Sequence, residues 1–371
     1  MMLHLLTPKQ YHQIQPLFGE DDRPSLYCQG IVAGKYPGKI VVDNPNQPRS
    51  ALVIKDAWCD LIGDPGNETF NQALKDELTE KKHIGENTKV LFFVDPSSAW
   101  LKVLAGLLDD RQPIEMPRCL YAATPTYDVP APALPEGFDL RFIGEALRDE
   151  VDGDLPEDVQ KVLDLRKAAI VPDEMAFGFV AVNGRSPVAW SVIDFIFGDV
   201  GEIRLVTEEN YRRRGLAVAT SAATIAYAVA HQGLRQINWD AAASNIPSIR
   251  TAQKLGLQLL HEPKEYIIIF PEIGYFINLA WSHLDAHRFE QVHAVTGQML
   301  ASDKEMLVQY GQFLTAAACA GLGDRTKAIF HLHKAIEAGF DDLYEMKKSP
   351  HLTILQDSTE WQQLIERIGR E

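Results

Sequence analysis

The sequence predicts a mixed α/β protein over its first two thirds and an all-α tail. Three observations carry that expectation. Up to about residue 270, runs of β-branched and aromatic residues alternate with stretches of helical apolar spacing. Between residues 122 and 137, Pro125, Pro130, Pro132 and Pro135 interrupt the pattern, and neither a helix nor a central strand runs through such a segment. Beyond residue 273 only helical spacing remains. The expected organisation is an N-terminal α/β region over 1–120, a proline-rich linker over 121–137, an α/β domain over 138–271, and an all-α helical region over 273–371. A chain of 371 residues is long enough for two or three domains with cores of their own.

In the first region, 39–42, 51–54 and 89–94 read as short strands. Asn67 opens a helix that places Phe70, Ala73, Leu74 and Leu78 on one face, and Pro96 and Ser97 open a second helix running to Leu108. In the second region, Phe138–Ile143 alternates as a strand and 155–169 reads as a helix. Asn183-Gly184 between the apolar runs 177–182 and 188–197 is a hairpin signal, because both residue types tolerate positive φ. A strand over 201–207 precedes a helix from Leu216 to about Ala230, so rich in small apolar residues that it must be mostly buried. A strand at 236–240 follows. Next comes a helix over 246–255 with Asn245 as its cap, Pro247 inside its first turn and Gly256 at its end, then a strand at 266–270.

In the tail, Ala316, Ala328 and Ala335 sit where two helices must approach closely, and Ala280 lies 36 positions before Ala316. The pattern resembles a tetratricopeptide repeat, followed by a helical cap with Leu352, Leu355 and Trp361. Such a tail either packs as a cap or offers a surface to a protein or peptide partner.

The net charge is −15, spread along the chain, which makes nucleic acid a poor partner. No apolar run reaches membrane-spanning length, and the first residues lack the basic start and cleavage site of a secretory leader. Cys28, Cys59, Cys119 and Cys319 are far apart, which reads as buried free thiols in a reducing, cytoplasmic setting. Neither the cysteines nor the eleven histidines show metal-ligand spacing, so no metal is expected.

The informative stretch is Gly201–Ala217, in which a strand leads through Arg212-Arg213-Arg214-Gly215-Leu216-Ala217 into the buried helix. Unpaired N–H groups at a helix start, the helix dipole and a glycine that lets backbone approach a ligand make an anion site. Three consecutive arginines in the most acidic third of the chain strengthen it. Taken alone, R-x-x-G-x-A is also what a solvated basic turn would show. Thirty residues on comes Asn245-Ile-Pro-Ser248, then Lys254-Leu-Gly-Leu257.

The order strand, R-x-x-G-x-A, helix, strand, N-x-x-S, helix, K-L-G-L, strand resembles the GNAT superfamily of acetyl-CoA-dependent N-acetyltransferases over about 138–270, which implies an α+β fold with a mixed central sheet flanked by helices, ahead of the all-α helical-repeat region. The run from Thr207 through Trp239-Asp240 and Glu265-Tyr266 also resembles a bacterial subgroup of zwittermicin-resistance type, whose N-terminal half is α/β like residues 1–120 and could be a degenerate GNAT half. The resemblance implies that the Arg loop binds the CoA pyrophosphate, that the backbone of Leu205, Val206 and Thr207 contacts the acetyl oxygen, and that Asn245 lines the pantetheine arm. It also implies that Lys254 reaches the CoA 3′-phosphate; a solvated surface lysine is the equal alternative.

Amine acetylation needs a base, a donor to the carbonyl oxygen and, for the thiolate, an acid. Glu202 is the base candidate, set against an exposed strand carboxylate paired with Arg204. Asp194, between Ile193 and Phe195, is the second candidate. Relatives carry a tyrosine acid seven residues after the helix-opening Asn, where this chain has Ala252, leaving Ser248, Tyr266 or solvent for that role. Trp239 reads as core more readily than as a substrate platform. The expected reaction transfers acetyl from acetyl-CoA to an amine-bearing small molecule or peptide. The alternative is a CoA-sensing or inactive scaffold whose helical tail binds a partner.

Overall fold

The computed structural model describes residues 2–19, 24–85, 89–93, 99–108, 110–124, 134–167 and 176–368. The chain divides into two compact units, Met1–Asn87, Leu91–Asp110 and Met116–Tyr266 against Thr88–Val90, Arg111–Glu115 and Ile267–Glu371. Pro96, Ser97 and residues 125–133 of the expected linker lie outside the described residues.

The strands are β1 (His4–Leu5), β2 (Lys39–Val42), β3 (Ser50–Lys55), β4 (Trp58–Gly63), β5 (Lys89–Phe93), β6 (Ile114–Ala123), β7 (Asp139–Phe142), β8 (Phe177–Asn183), β9 (Ser186–Phe197), β10 (Val200–Thr207), β11 (Gln236–Ala242), β12 (Gln258–His261) and β13 (Lys264–Ile269). They are hydrogen-bonded in the order β1-β2-β3-β4-β5-β13-β6-β11-β10-β9-β8-β7, with β12 paired to β6 off that path. The helices among them are α1 (Leu26–Val32), α2 (Glu68–Glu80), α3 (Trp100–Leu107), α4 (Leu147–Glu150), α5 (Glu157–Lys167), α6 (Leu216–Gln232) and α7 (Ile246–Lys254).

The order contains the same motif twice. β4 and β5 are parallel partners joined through α2, and β10 and β11 are parallel partners joined through α6. The two halves exchange a strand. β6, which precedes the prolines, pairs with β11 and β12, while β13, from the end of the second half, sits beside β5. β4 and β6 escape the sequence pattern. β4 carries Asp60 at its centre, and β6 carries Pro117, which stands just before the stretch, Arg118–Ala123, that pairs with β11.

The hairpin at 183–186 forms, but Asn183 pairs with Ser186 in the ladder, so the turn is Gly184-Arg185 and only Gly184 takes a positive φ, 61°. One face of the sheet packs Tyr11, Ile31 and Tyr36 with Val159, Val162, Val192 and Phe195 under α1 and α5. The other face packs Ile203, Ile225, Trp239 and Ala252 under α6 and α7. All four cysteines are buried and free.

The second unit holds α8 (Glu272–Asp285), α9 (Phe289–Leu300), α10 (Glu305–Gly321), α11 (Arg325–Glu337), α12 (Leu343–Lys348) and α13 (Thr359–Ile368). Ala280, Ala316, Ala328 and Ala335 are all buried in its core. A Cβ on Gly321 would lie 2.6 Å from the Phe289 ring, so α10 meets that ring at glycine. Asp324 caps α11 by accepting the Lys327 N–H. None of the described helices is long and apolar enough to cross a membrane.

Candidate active site

β10 and β11 pair only from Val200–Glu202 against Gln236–Asn238. Past Glu202 the two strands separate, because β11 follows β6 while β10 stays on β9 as far as Thr207. The Glu208 N–H donates to Val188 O on the β9 side. Alternation along the strand therefore turns the N–H groups of Leu205 and Thr207 toward the side from which β11 has withdrawn. The Thr207 hydroxyl is buried there and has no hydrogen-bond partner among the described residues.

β10 leads into a loop that ends on two left-handed residues, Arg213 at φ 63° and Gly215 at φ 86°. A Cβ on Gly215 would meet nothing within 4 Å, so its φ, not crowding, is what favours glycine. The first bond of α6 runs from Ala219 N to Gly215 O, which leaves the N–H groups of Leu216, Ala217 and Val218 without a helical partner. No described side chain caps them. Arg212 donates to Thr207 O at 3.2 Å, and Arg214 donates to Asn210 O at 3.2 Å while lying over the Tyr211 ring. All three arginines are exposed. Free N–H groups, the helix dipole and three cations converge on one terminus.

The first half has filled its corresponding terminus with its own side chains. Asp64 accepts the Gly66 N–H at 2.8 Å, Asn67 accepts the Phe70 N–H at 3.2 Å, and a Cβ on Gly63 would fall 2.2 Å from Arg49 O.

A family description of GNAT acetyltransferases matches residues 15–268, a span that takes in both halves. The chain belongs to the GNAT acetyltransferase family. It is an enzyme of the acyltransferase class. It is similar to an uncharacterized N-acetyltransferase, YdfB, of Bacillus subtilis, at 24% identity over 262 residues, covering 70% of this chain and 97% of that protein. Its fold is that of a GCN5-related N-acetyltransferase from Sphaerobacter thermophilus (TM-score 0.50, 15% identity, 72% of this chain and 95% of that one). A tandem GNAT protein from the clavulanic acid biosynthesis pathway has the same fold (TM-score 0.50, 14% identity, 72% and 99%).

Within this acetyltransferase fold, Glu202 stands where β10 and β11 part. It is half-buried, and burial, with Asp240 and Asp194 nearby, pushes its carboxyl up to about 7 against the pull of Arg204 and Arg118. The pairing with Arg204 that the alternative reading called for is not made. Arg204 instead bonds Asp194 and lies 3.6 Å from Asp158. Asp194 is the residue left over where the β9–β10 register shifts, since Phe195 opposes Glu202 and Ile193 opposes Ile203. It is buried and held by Arg204 and by Lys161 at 3.1 Å.

Asn245 caps α7 by accepting the Ser248 N–H at 3.3 Å, and the Ser248 hydroxyl accepts the Trp239 ring N–H at 3.0 Å. Trp239 is core, and Ala252 is wholly buried. Lys254 is exposed at the end of α7. Tyr266 is buried on β13, separated from β10 by β6 and β11. The structure thus brings Leu205, Thr207, the Arg loop and Glu202 to one edge of the parted strands, and keeps Tyr266 away from it.

Sequence reasoning missed two contributions. Asn238 opposes Glu202, so Asp240 shares its sheet face. Arg118 on β6 donates to Asp240 at 3.1 Å and lies 3.4 Å from Glu265 on β13. The second contribution is Tyr27 of α1, whose ring lies 4.1 Å from that of Phe195, the residue opposite Glu202. Burial, Glu202 and Asp194 all push its phenol up. The pairs Trp239-Asp240 and Glu265-Tyr266 stood out in the sequence, but for their aromatic members. Nothing local marks Tyr27.

Proposed function

We propose that the protein is an acetyl-CoA-dependent N-acetyltransferase that transfers acetyl to a primary amine by direct attack on the thioester. The observation that carries this reading is the uncapped start of α6, with three arginines, next to the point where β10 and β11 part and Glu202 stands. The donor set fits the cosubstrate. Leu216, Ala217 and Val218 offer free N–H groups to a pyrophosphate, Arg212, Arg213 and Arg214 offer charge, and the orphaned Thr207 hydroxyl offers a further polar group. Asn245 and Ser248 would line the pantetheine arm, and Lys254 would reach the 3′-phosphate.

Bound acetyl-CoA supplies an acetyl group on a good leaving thiolate. Glu202 takes a proton from the incoming ammonium, which frees the nitrogen lone pair. The N–H groups of Leu205 and Thr207 donate to the carbonyl oxygen as it gains charge. The new C–N bond forms, the nitrogen gives its second proton to solvent, the C–S bond breaks, and the thiolate takes its proton from solvent, since Ala252 offers none. The chain's resemblance to the zwittermicin-resistance subgroup favours a small-molecule acceptor. The helices of the second unit we read as a tetratricopeptide-like region.

Calorimetric titration with acetyl-CoA tests the reading. Wild type binds, and changing Arg212, Arg213 and Arg214 together to alanine weakens binding at least about tenfold, since each charged contact contributes about 1.5 kcal/mol or more. An unchanged dissociation constant refutes it.

A further inference from the structure

Resting on the acetyl-transfer reading, we infer that the acceptor carries a second cationic group, received by Glu265, while its reacting amine lies at Glu202. Glu202, Asp240, Arg118 and Glu265 occupy one face of adjoining strands, β10, β11, β6 and β13. Asp240 and Glu265 share one guanidinium, that of Arg118, and its bonded partner is Asp240. Glu265 is only 1% exposed, yet neither of its oxygens accepts a hydrogen bond from any described residue. An isolated fold gains nothing from a buried carboxylate in that state. A ligand ammonium supplies the missing donors and the missing positive charge together.

The spacing sets the shape of the acceptor. β13 lies three strand positions from β10, about 14 Å at the usual strand separation. Side chains leaning along the face shorten that span, so a linear diamine or polyamine bridges the two carboxylates and a short monoamine does not. Tyr27, packed on Phe195 opposite Glu202, covers the near end with a ring and a hydroxyl.

The test uses the full chain with saturating acetyl-CoA at pH 8, following release of free CoA thiol with diaminooctane, aminooctanol and octylamine. The expected result is a kcat/KM for diaminooctane at least about tenfold above the other two, the effect of one charge-assisted contact. In Glu265→Gln that ratio falls to near one. The ratio is taken within one preparation, so a partly unfolded variant lowers both rates and leaves it unmoved. Equal rates for the three amines in wild type overturn the inference while leaving acetyl transfer standing, and so does a diamine preference that survives Glu265→Gln. No turnover of any of the three overturns the acetyl-transfer reading itself.

Discussion

The Glu265 carboxyl gives a stability prediction whose sign and size follow from its surroundings. Burial, and Asp240 beside it, push it from 4.5 up to about 7 against the pull of Arg118. The folded chain therefore holds a proton that the unfolded chain releases between about pH 4.5 and 7. Over that window the unfolded state binds fewer protons, so stability falls as pH rises, and above about 7 the loss is complete. The shift corresponds to about 3 kcal/mol, since one pKa unit is about 1.4 kcal/mol. Glu265→Gln removes the titration while keeping the shape. Relative to wild type, the variant should gain about 3 kcal/mol at pH 8, or about 6 °C in Tm for a unit of this size, and only about 1 kcal/mol at pH 5. Scanning calorimetry of both proteins at the two pH values reads the difference. Any constant cost of the buried amide cancels between them. A difference that does not change with pH, or one that grows toward pH 5, refutes the account of Glu265 as a buried, under-bonded carboxylate.

The proton acceptor works only when deprotonated, so kcat/KM should be full above about pH 7 and fall about tenfold per unit below it. Glu202→Gln should lower kcat by about a hundredfold or more and flatten the profile; a wild-type profile with no inflection near 7 counts against Glu202 as base. Ser25 caps α1 and donates twice to buried Asp60. Ser25→Ala should cost about 2 kcal/mol by chemical denaturation, from the lost cap and the loss of one of the two bonds to the buried carboxylate, and a loss below about 0.5 kcal/mol refutes that role. Gly321→Val should destabilise the helical unit by about 1–3 kcal/mol through its clash with Phe289; an unchanged Tm for that unit shows that the ring moves aside freely.

The second half of the catalytic unit was legible because its strands alternate cleanly and its loop is chemically conspicuous. Three arginines, a glycine and a run of small residues sit in consecutive positions, so a local reading suffices for the anion site. Asn245 was readable for the same reason, being a cap with proline behind it. Glu265, Arg118 and Tyr27 were not, because their meeting depends on which strand lies beside which. β6 looked like the approach to a linker, with Pro117 arguing against a strand, and its place next to β11 is set by pairing across more than a hundred residues. β4 was lost because Asp60 breaks its apolar run, although Ser25 satisfies that carboxylate in the fold. The side chains proposed for the acceptor end are the ones supplied by long-range pairing, and the side chains proposed to hold the cosubstrate are the ones written in a row.

The exchange of β6 and β13 has a consequence for how the two halves persist. The first half has closed its own anion terminus, yet it supplies the strand beside β11 and the helix that bears Tyr27. A chain shortened to the second half would form a sheet with a strand missing from its middle, since β6 lies between β13 and β11. Each half is thus tied into the sheet by the strand it lends to the other.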